Sequence, residues 1–318
     1  MSNLRGIFSS MSDNAPETKR LPRYERPKEL APVPAPLADG EMIDYADLDA
    51  AMELSTLSDG GKALLRGLLR LGRSAMFPGG GAGIEYASLL KTAARPTYIA
   101  AHVQEVAAHL HAQRVDVLVV PGMSGYPVGS MYSFASGIPA VLLKKQRHND
   151  DMTRSDYPPG AFIIPSYTGD GDVLMSADLE AMQDIVDEIL TEQIRTQTDA
   201  ESLRLTIRVA GADDIIDKAT MSQAVSESAL IVGRSAIARF VRLYRIASGD
   251  HREIVDSVEV VAWVTPLIKG YNRPHEHLQR WFGVMPFAGI NVTSVHLDPA
   301  AIGVEGVGIV GFAPSKDT

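Results

Sequence analysis

Residues 115–145 read VDVLVVPGMSGYPVGSMYSFASGIPAVLLKK. Apart from Asp116 the first six residues are apolar and valine-rich, the pattern of a short strand buried on both faces. PGMSGYPVG then turns the chain, VGSMYSFAS reads as a short helix, and IPAVLLKK supplies a second strand ending on Lys144 and Lys145. Strand, helix and strand in this order make a βαβ unit, which predicts an α/β fold with a mainly parallel sheet flanked by helices.

The pattern continues on both sides. Upstream, HVQEVAAHLHAQ sets Val103, Val106, Ala107 and Leu110 at helical spacing. Downstream, LRLTIRVAG reads as a strand and leads into VAGADDIIDKATM at 209–221, where two adjacent carboxylates sit between a strand and a helix. SQAVSESALIV and AIARFVRLYRIA read as two helical stretches and SVEVVAWVTP as a further strand. In an open parallel sheet the crevice beyond the strand ends binds ligands, and the next helix start offers amides to an anion. Asp213 and Asp214 therefore suit vicinal hydroxyls, with a phosphate on the turn that follows. Adjacent acids before a helix also serve as caps and dipole partners, and spacing leaves both readings open.

Bulk properties narrow the function classes. A chain of 318 residues, 45% apolar, buries a substantial core. Without cysteine there is no disulfide, thiolate metal site or cysteine nucleophile. The net charge of -9 opposes a general nucleic-acid surface while leaving room for a local basic pocket. No apolar run has the length of a membrane span or a signal core, so a soluble, cytoplasmic protein is expected, with no membrane partner.

Composition divides the chain. Residues 1–40 carry six prolines among mixed charges and read as an extended arm, either disordered or docked on a neighbouring subunit or other partner through Leu4, Ile7 and Phe8. Residues 41–114 read as a helical cap and hood segment, with YADLDAAMEL and GKALLRGLLRLG as helices. Residues 115–266 form the α/β core, residues 146–202 within it a long lid insertion with a strand candidate AFIIPSY and a helix presenting Leu179, Met182, Val186 and Ile189 on one face, and 267–318 a C-terminal extension with strand candidates INVTSVHL and VGIVGF. PGGGAG at 78–83 lacks the spaced Gly-Lys-Ser/Thr ending of a phosphate loop and reads as a turn. His275-Glu276-His277 lacks a complementary cluster and reads as a solvated turn rather than a metal site; His102 and His109 read as packing or surface residues.

The segments IEYASLLKTAARPTYIAAHVQEVAAHL (84–110), VDVLVVPGMSGYPVGSMYSFASGIPAVLLKK (115–145) and DDIIDKATM (213–221) together resemble, in order, the hood, pyrophosphate-loop unit and sugar-phosphate signature of a type I phosphoribosyltransferase, most closely the orotate phosphoribosyltransferase group. The resemblance implies transfer of a phosphoribosyl group between phosphoribosyl pyrophosphate and a nucleobase, with Mg2+ on the diphosphate, in a dimer or other homo-oligomer. Carried over, Asp213 and Asp214 take the ribose hydroxyls and, indirectly, the metal; Asp217, Lys218, Ala219 and Thr220 surround the 5′-phosphate; Ser124 and Gly125 face pyrophosphate. Lys144, Lys145, Arg147 and Arg154 balance the diphosphate, and Tyr167 is a candidate for the base. Asp217, Lys144 and Lys145 are the catalytic candidates.

Two departures stand out. The family's phosphate cradle reads Thr-Gly-Gly-Thr or a near variant, where this chain has Lys218, Ala219, Thr220 and Met221; Ser124 replaces a basic loop residue. A second reading thus stays beside the enzyme: an inactive descendant that binds a nucleotide as a regulator or serves as an assembly component.

Overall fold

The computed structural model describes residues 22–24, 37–38, 40–76, 82–85, 95–147, 157–165 and 172–314. The chain begins with β1 (Met42–Ile43), α1 (Leu48–Glu53), α2 (Asp59–Leu71), β2 (Arg73–Met76) and β3 (Ala82–Glu85). The expected βαβ unit follows as α3 (Pro96–Ala112), β4 (Val117–Pro121), α4 (Tyr126–Ser136) and β5 (Ala140–Arg147). Next come β6 (Phe162–Pro165), β7 (Asp172–Ser176), α5 (Leu179–Arg195), β8 (Ser202–Ala212), β9 (Ile215–Ile216) and α6 (Thr220–Ser248). The described chain closes with β10 (Glu253–Lys269), α7 (Pro274–Phe282), β11 (Phe287–Leu297), β12 (Ala300–Val304) and β13 (Gly308–Gly311).

One sheet organises the molecule, in the order β1-β13-β12-β11-β10-β8-β4-β5-β7-β6, with β9 added to β10. The contiguous centre, β11-β10-β8-β4-β5, is parallel throughout. Antiparallel strands extend it on either side. Alternation along β4 explains its unbroken apolar run: Leu118 and Val120 join the core under α2, α3 and α4, while Val117 and Val119 join the core under α5, α6 and α7. No helix among the described residues is long and apolar enough to cross a membrane.

In the long insertion the strand candidate and the helix form β6 and α5, and residues 172–176 add β7, so that residues 157–165 and 172–202 widen the sheet and cover one face. Residues 267–311 of the C-terminal extension supply β11 to β13 of the same sheet. The two helical stretches after the acidic turn fuse into the 29-residue α6. Gly233 does not break it, because a Cβ there would lie 3.0 Å from Val258 and the bare backbone lets α6 settle on β10. Of the arm, Pro22, Arg23 and Tyr24 run beside β6: Tyr24 N donates to Ile163 O at 3.0 Å and Ile163 N to Pro22 O at 2.9 Å. The Tyr24 ring meets Phe162 edge-on and its hydroxyl donates to Glu227. Leu4, Ile7 and Phe8 lie outside the described residues, as do residues 78–81.

β8 extends past β4, and side chains occupy its free edge. Gln193 on α5 donates to Thr206 O at 2.7 Å and accepts from Thr206 N at 2.9 Å; Gln197 does the same at Arg204, at 2.9 and 2.8 Å. Asp116 accepts from Arg208 N at 2.7 Å. These groups satisfy the backbone where a neighbouring strand would otherwise be needed.

Candidate functional site

The direction of chain progression reverses between β4 and β8: from β4 the chain steps outward to β5, whereas from β8 it steps the other way to β10 and β11. Such a switch point opens a crevice beyond the carboxyl ends of the two strands. The loop after β4 and the acidic turn after β8 meet in that crevice.

Close approach dictates the glycines of the first loop. At Gly125 a Cβ would stand 2.9 Å from Asp213 Oδ1 and 2.9 Å from Pro121 O, so only glycine lets the loop close onto the acidic turn. At Gly122 a Cβ would come within 2.7 Å of Leu143 O, the carbonyl to which the Tyr126 hydroxyl donates. Ser124 is half-buried between them, and Met123 projects into solvent at 71% exposure.

Asp213 and Asp214 are both buried at the end of β8. Asp213 N donates to Val264 O at 3.2 Å, and Asp213 Oδ1 accepts from Asp214 N at 2.8 Å, folding the carboxylate back over its own turn. β9 then pairs with Leu267 and Ile268 of β10, fixing the turn from both sides. Beneath it Tyr132 is fully buried, its hydroxyl 2.9 Å from His102 Nε2. Burial, reinforced by the Asp214 charge, holds the Tyr132 phenol well above its ordinary range. His102 is pushed down to about 4 by burial, with the backbone of Thr265 acting in the opposite direction.

The four residues proposed for the phosphate form the entry to α6. Ala219 adopts φ 59° and ψ 2°, the left-handed geometry that glycine takes most readily. Its carbonyl accepts from Gln223 N at 2.8 Å, starting the helix. Having no side-chain oxygen, Ala219 cannot cap the amides of the first turn, and Thr220 opens that turn half-buried. Asp217 is engaged: Lys269 Nζ lies 3.0 Å from Oδ2 and Asn272 donates to Oδ1. Lys269 and Asn272 come from the carboxyl end of β10 and the short turn beyond it.

The strand geometry separates the two lysines. β5 is regular from Ala140 to Arg147, so Lys144 and Lys145 point to opposite faces. Lys144 Nζ pairs with Asp178 Oδ2 at 3.1 Å and lies near enough to oppose the upward pull of burial on the Tyr126 phenol. Lys145 is exposed. The Arg147 backbone pairs with Val173, and Arg154 and Tyr167 lie outside the described residues.

Lys269, Asn272 and Tyr132 escaped the sequence reading, whereas His102, read as a packing or surface residue, is buried in the packing. A lysine closing a long apolar strand was the available signal for the first; the others are gathered from remote segments. His275 and His277 lie on α7, where His277 stacks on Trp281 at 5.1 Å, and the described residues hold no group of three metal-binding side chains. Trp263 fills the core, its Nε1 donating to Ser226 Oγ at 2.9 Å.

No family model and no curated protein matches the sequence. Among solved structures the chain is similar to the adenine phosphoribosyltransferase of Thermoanaerobacter pseudethanolicus, at 13% identity and TM-score 0.41 over 70% of this chain and 98% of that one. It is likewise similar to the adenine phosphoribosyltransferase of Rhodothermus marinus, at 13% identity and TM-score 0.42 over 73% and 98%. A third, from Saccharomyces cerevisiae and complexed with an imino-altritol bisphosphate and adenine, gives 11% identity and TM-score 0.43 over 72% and 98%.

Proposed function

We propose that the crevice between β4 and β8 binds phosphoribosyl pyrophosphate and transfers its phosphoribosyl group to a nucleobase. The observation that carries this reading is the buried Asp213–Asp214 turn closed against Gly125, followed at once by the α6 start, whose first residue before the helix cannot cap it. Carboxylates accept hydrogen bonds from the ribose hydroxyls, and the α6 amides with Lys218 receive the 5′-phosphate. Ser124 and Gly125 face the diphosphate, with Lys144 at the same end of the sheet.

In the reaction the bond from the anomeric carbon to a diphosphate oxygen breaks as a bond to a base nitrogen forms, releasing pyrophosphate. The chain's contribution is to hold the sugar, orient the base and keep water from the electron-poor carbon. Mg2+ commonly binds through one or two carboxylates plus substrate phosphates, and the Asp213–Asp214 pair fits that mode. Bound there, it would neutralise charge on the leaving diphosphate.

A second reading, binding without turnover as a regulator or assembly component, is favoured by Asp217. The carboxylate expected to act in catalysis is already matched by Lys269 and Asn272. Calorimetric titration with phosphoribosyl pyrophosphate and Mg2+, followed by pyrophosphate release against a panel of bases, separates the two. Binding with release supports transfer; binding without release supports the second reading; no binding removes both nucleotide readings.

A further inference from the structure

β10 runs 17 residues, and its two sides are covered unequally. β8 pairs with it from Glu253 onward, whereas β11 joins only from Val264. From Glu253 to Val261 the side away from β8 therefore has no neighbouring strand among the described residues.

The direction of the backbone groups on this stretch follows from β8. Arg204, Thr206 and Arg208 turn their N–H and C=O away from β10, toward Gln197, Gln193 and Asp116. The alternate residues Leu203, Leu205, Ile207 and Val209 therefore face β10. In a parallel ladder each residue that bonds across stands opposite one that does not. Their opposites are Ile254, Asp256, Val258 and Val260, which must direct N–H and C=O outward from the sheet. No described residue bonds those groups. The register shift at Val261 then reverses the alternation, and above it β11 takes up the outward side.

Elsewhere the chain closes its strand edges. Glutamines cover β8, Pro22 to Tyr24 run along β6, and β1 at the far end is only two residues long. A long edge left open is a template for a further strand. The side chains beside it fix the chemistry that fits. On the α6 face Ile254, Val258 and Val260 are apolar and belong to the core under that helix, Ile254 and Val260 only in part. On the opposite face Glu253, Val255 and Glu259 are exposed, Val255 at 52%, and Ser257 Oγ donates to Glu259 at 3.2 Å. Opposite charges facing each other across paired strands stabilise the pair, and like charges oppose it. A strand alternating apolar and basic side chains thus matches both faces at once.

We propose that β10 accepts, along Ile254–Val260, an extended segment of a partner protein in which apolar and basic residues alternate, added to the sheet in line with β11.

The probe is a fluorescent peptide, Lys-Val-Lys-Val-Lys-Val-Lys, titrated with the full chain and followed by anisotropy. Saturable binding is expected below about 1 mM. Asp256→Pro removes one outward N–H and no bond to β8, a replacement that edge strands tolerate, and is expected to weaken binding at least tenfold. Asp256→Asn removes an exposed charge but keeps the N–H, and is expected to weaken binding less than threefold. Circular dichroism of both variants confirms that they are folded. Independently of any variant, the same peptide methylated at every backbone nitrogen keeps its charges, loses its donors and is expected not to bind the natural chain. No binding at about 1 mM, equal binding by a folded Asp256→Pro chain, or equal binding of the methylated peptide would each overturn the proposal. An Asp256→Asn chain as weak as Asp256→Pro would reduce the contact to charge alone and overturn it too. A natural chain that self-associates until Asp256→Pro is introduced would assign the edge to a second copy, with the same consequence.

Discussion

Replacing His102 by glutamine should remove a specific part of the acid sensitivity of this fold. The imidazole is fully buried on α3, bonded to the Tyr132 hydroxyl and stacked over Phe287 at 6.2 Å between ring centres. Burial lowers its pKa from 6.5 to about 4. As pH falls through 6.5 the unfolded chain takes up a proton that the folded chain does not, so stability is lost between about 6.5 and about 4 and is fully present above that window. Between pH 7.5 and pH 5 this linkage amounts to about 2 kcal/mol. With a urea slope of about 3 kcal/mol per molar, the midpoint should fall by about 0.7 M. Glutamine keeps a neutral hydrogen-bonding side chain beside Tyr132 but does not titrate. Urea unfolding of both proteins, at one protein concentration over this range, should show a steeper loss for the natural chain by that amount. His109, also lowered by burial, remains in both and cancels in the difference. Parallel curves for the two proteins would refute the assignment of a buried neutral imidazole.

Asp214→Asn should abolish the calorimetric signal for phosphoribosyl pyrophosphate with Mg2+ while leaving a cooperative thermal transition, and retained binding would remove the carboxylate from the ribose site. Lys269→Met removes the cation paired with Asp217; since the pair is largely buried, a loss of about 2 kcal/mol is expected from urea unfolding. In the double replacement Lys269→Met/Asp217→Asn much of that loss should return, as a double-mutant cycle would report. Gln193→Ala/Gln197→Ala strips the partners from the β8 edge, with an expected loss of about 1–2 kcal/mol per glutamine and increased light scattering on heating.

The central βαβ unit was legible because a strand buried on both faces leaves an apolar run that few other elements produce, and VDVLVV is such a run. The acidic turn was legible for a related reason: Asp213 and Asp214 break the pattern where a strand gives way to a helix. Residues 146–202 were harder. The strand candidate AFIIPSY and the helix that follows were legible as β6 and α5, but β7, which pairs with β5 on one side and β6 on the other, rests on contacts that local composition does not encode. β11 and β13 were legible as the strand candidates INVTSVHL and VGIVGF, whereas their places, β11 beside β10 and β13 beside β12, were not.

At the candidate site the division is sharper. Sequence by itself determined the chemical types at each position: carboxylates after β8, glycines after β4, lysines at the end of β5, and no glycine in the turn before α6. Only the tertiary structure decided which of them meet. It closed Gly125 onto Asp213, separated Lys144 from Lys145 across the pleat, and turned Ala219 into the left-handed geometry expected of glycine. It also brought Lys269 to Asp217 from 52 residues away. The physical reason is that residue type fixes what a side chain can exchange with its surroundings, whereas strand order and register fix what those surroundings are.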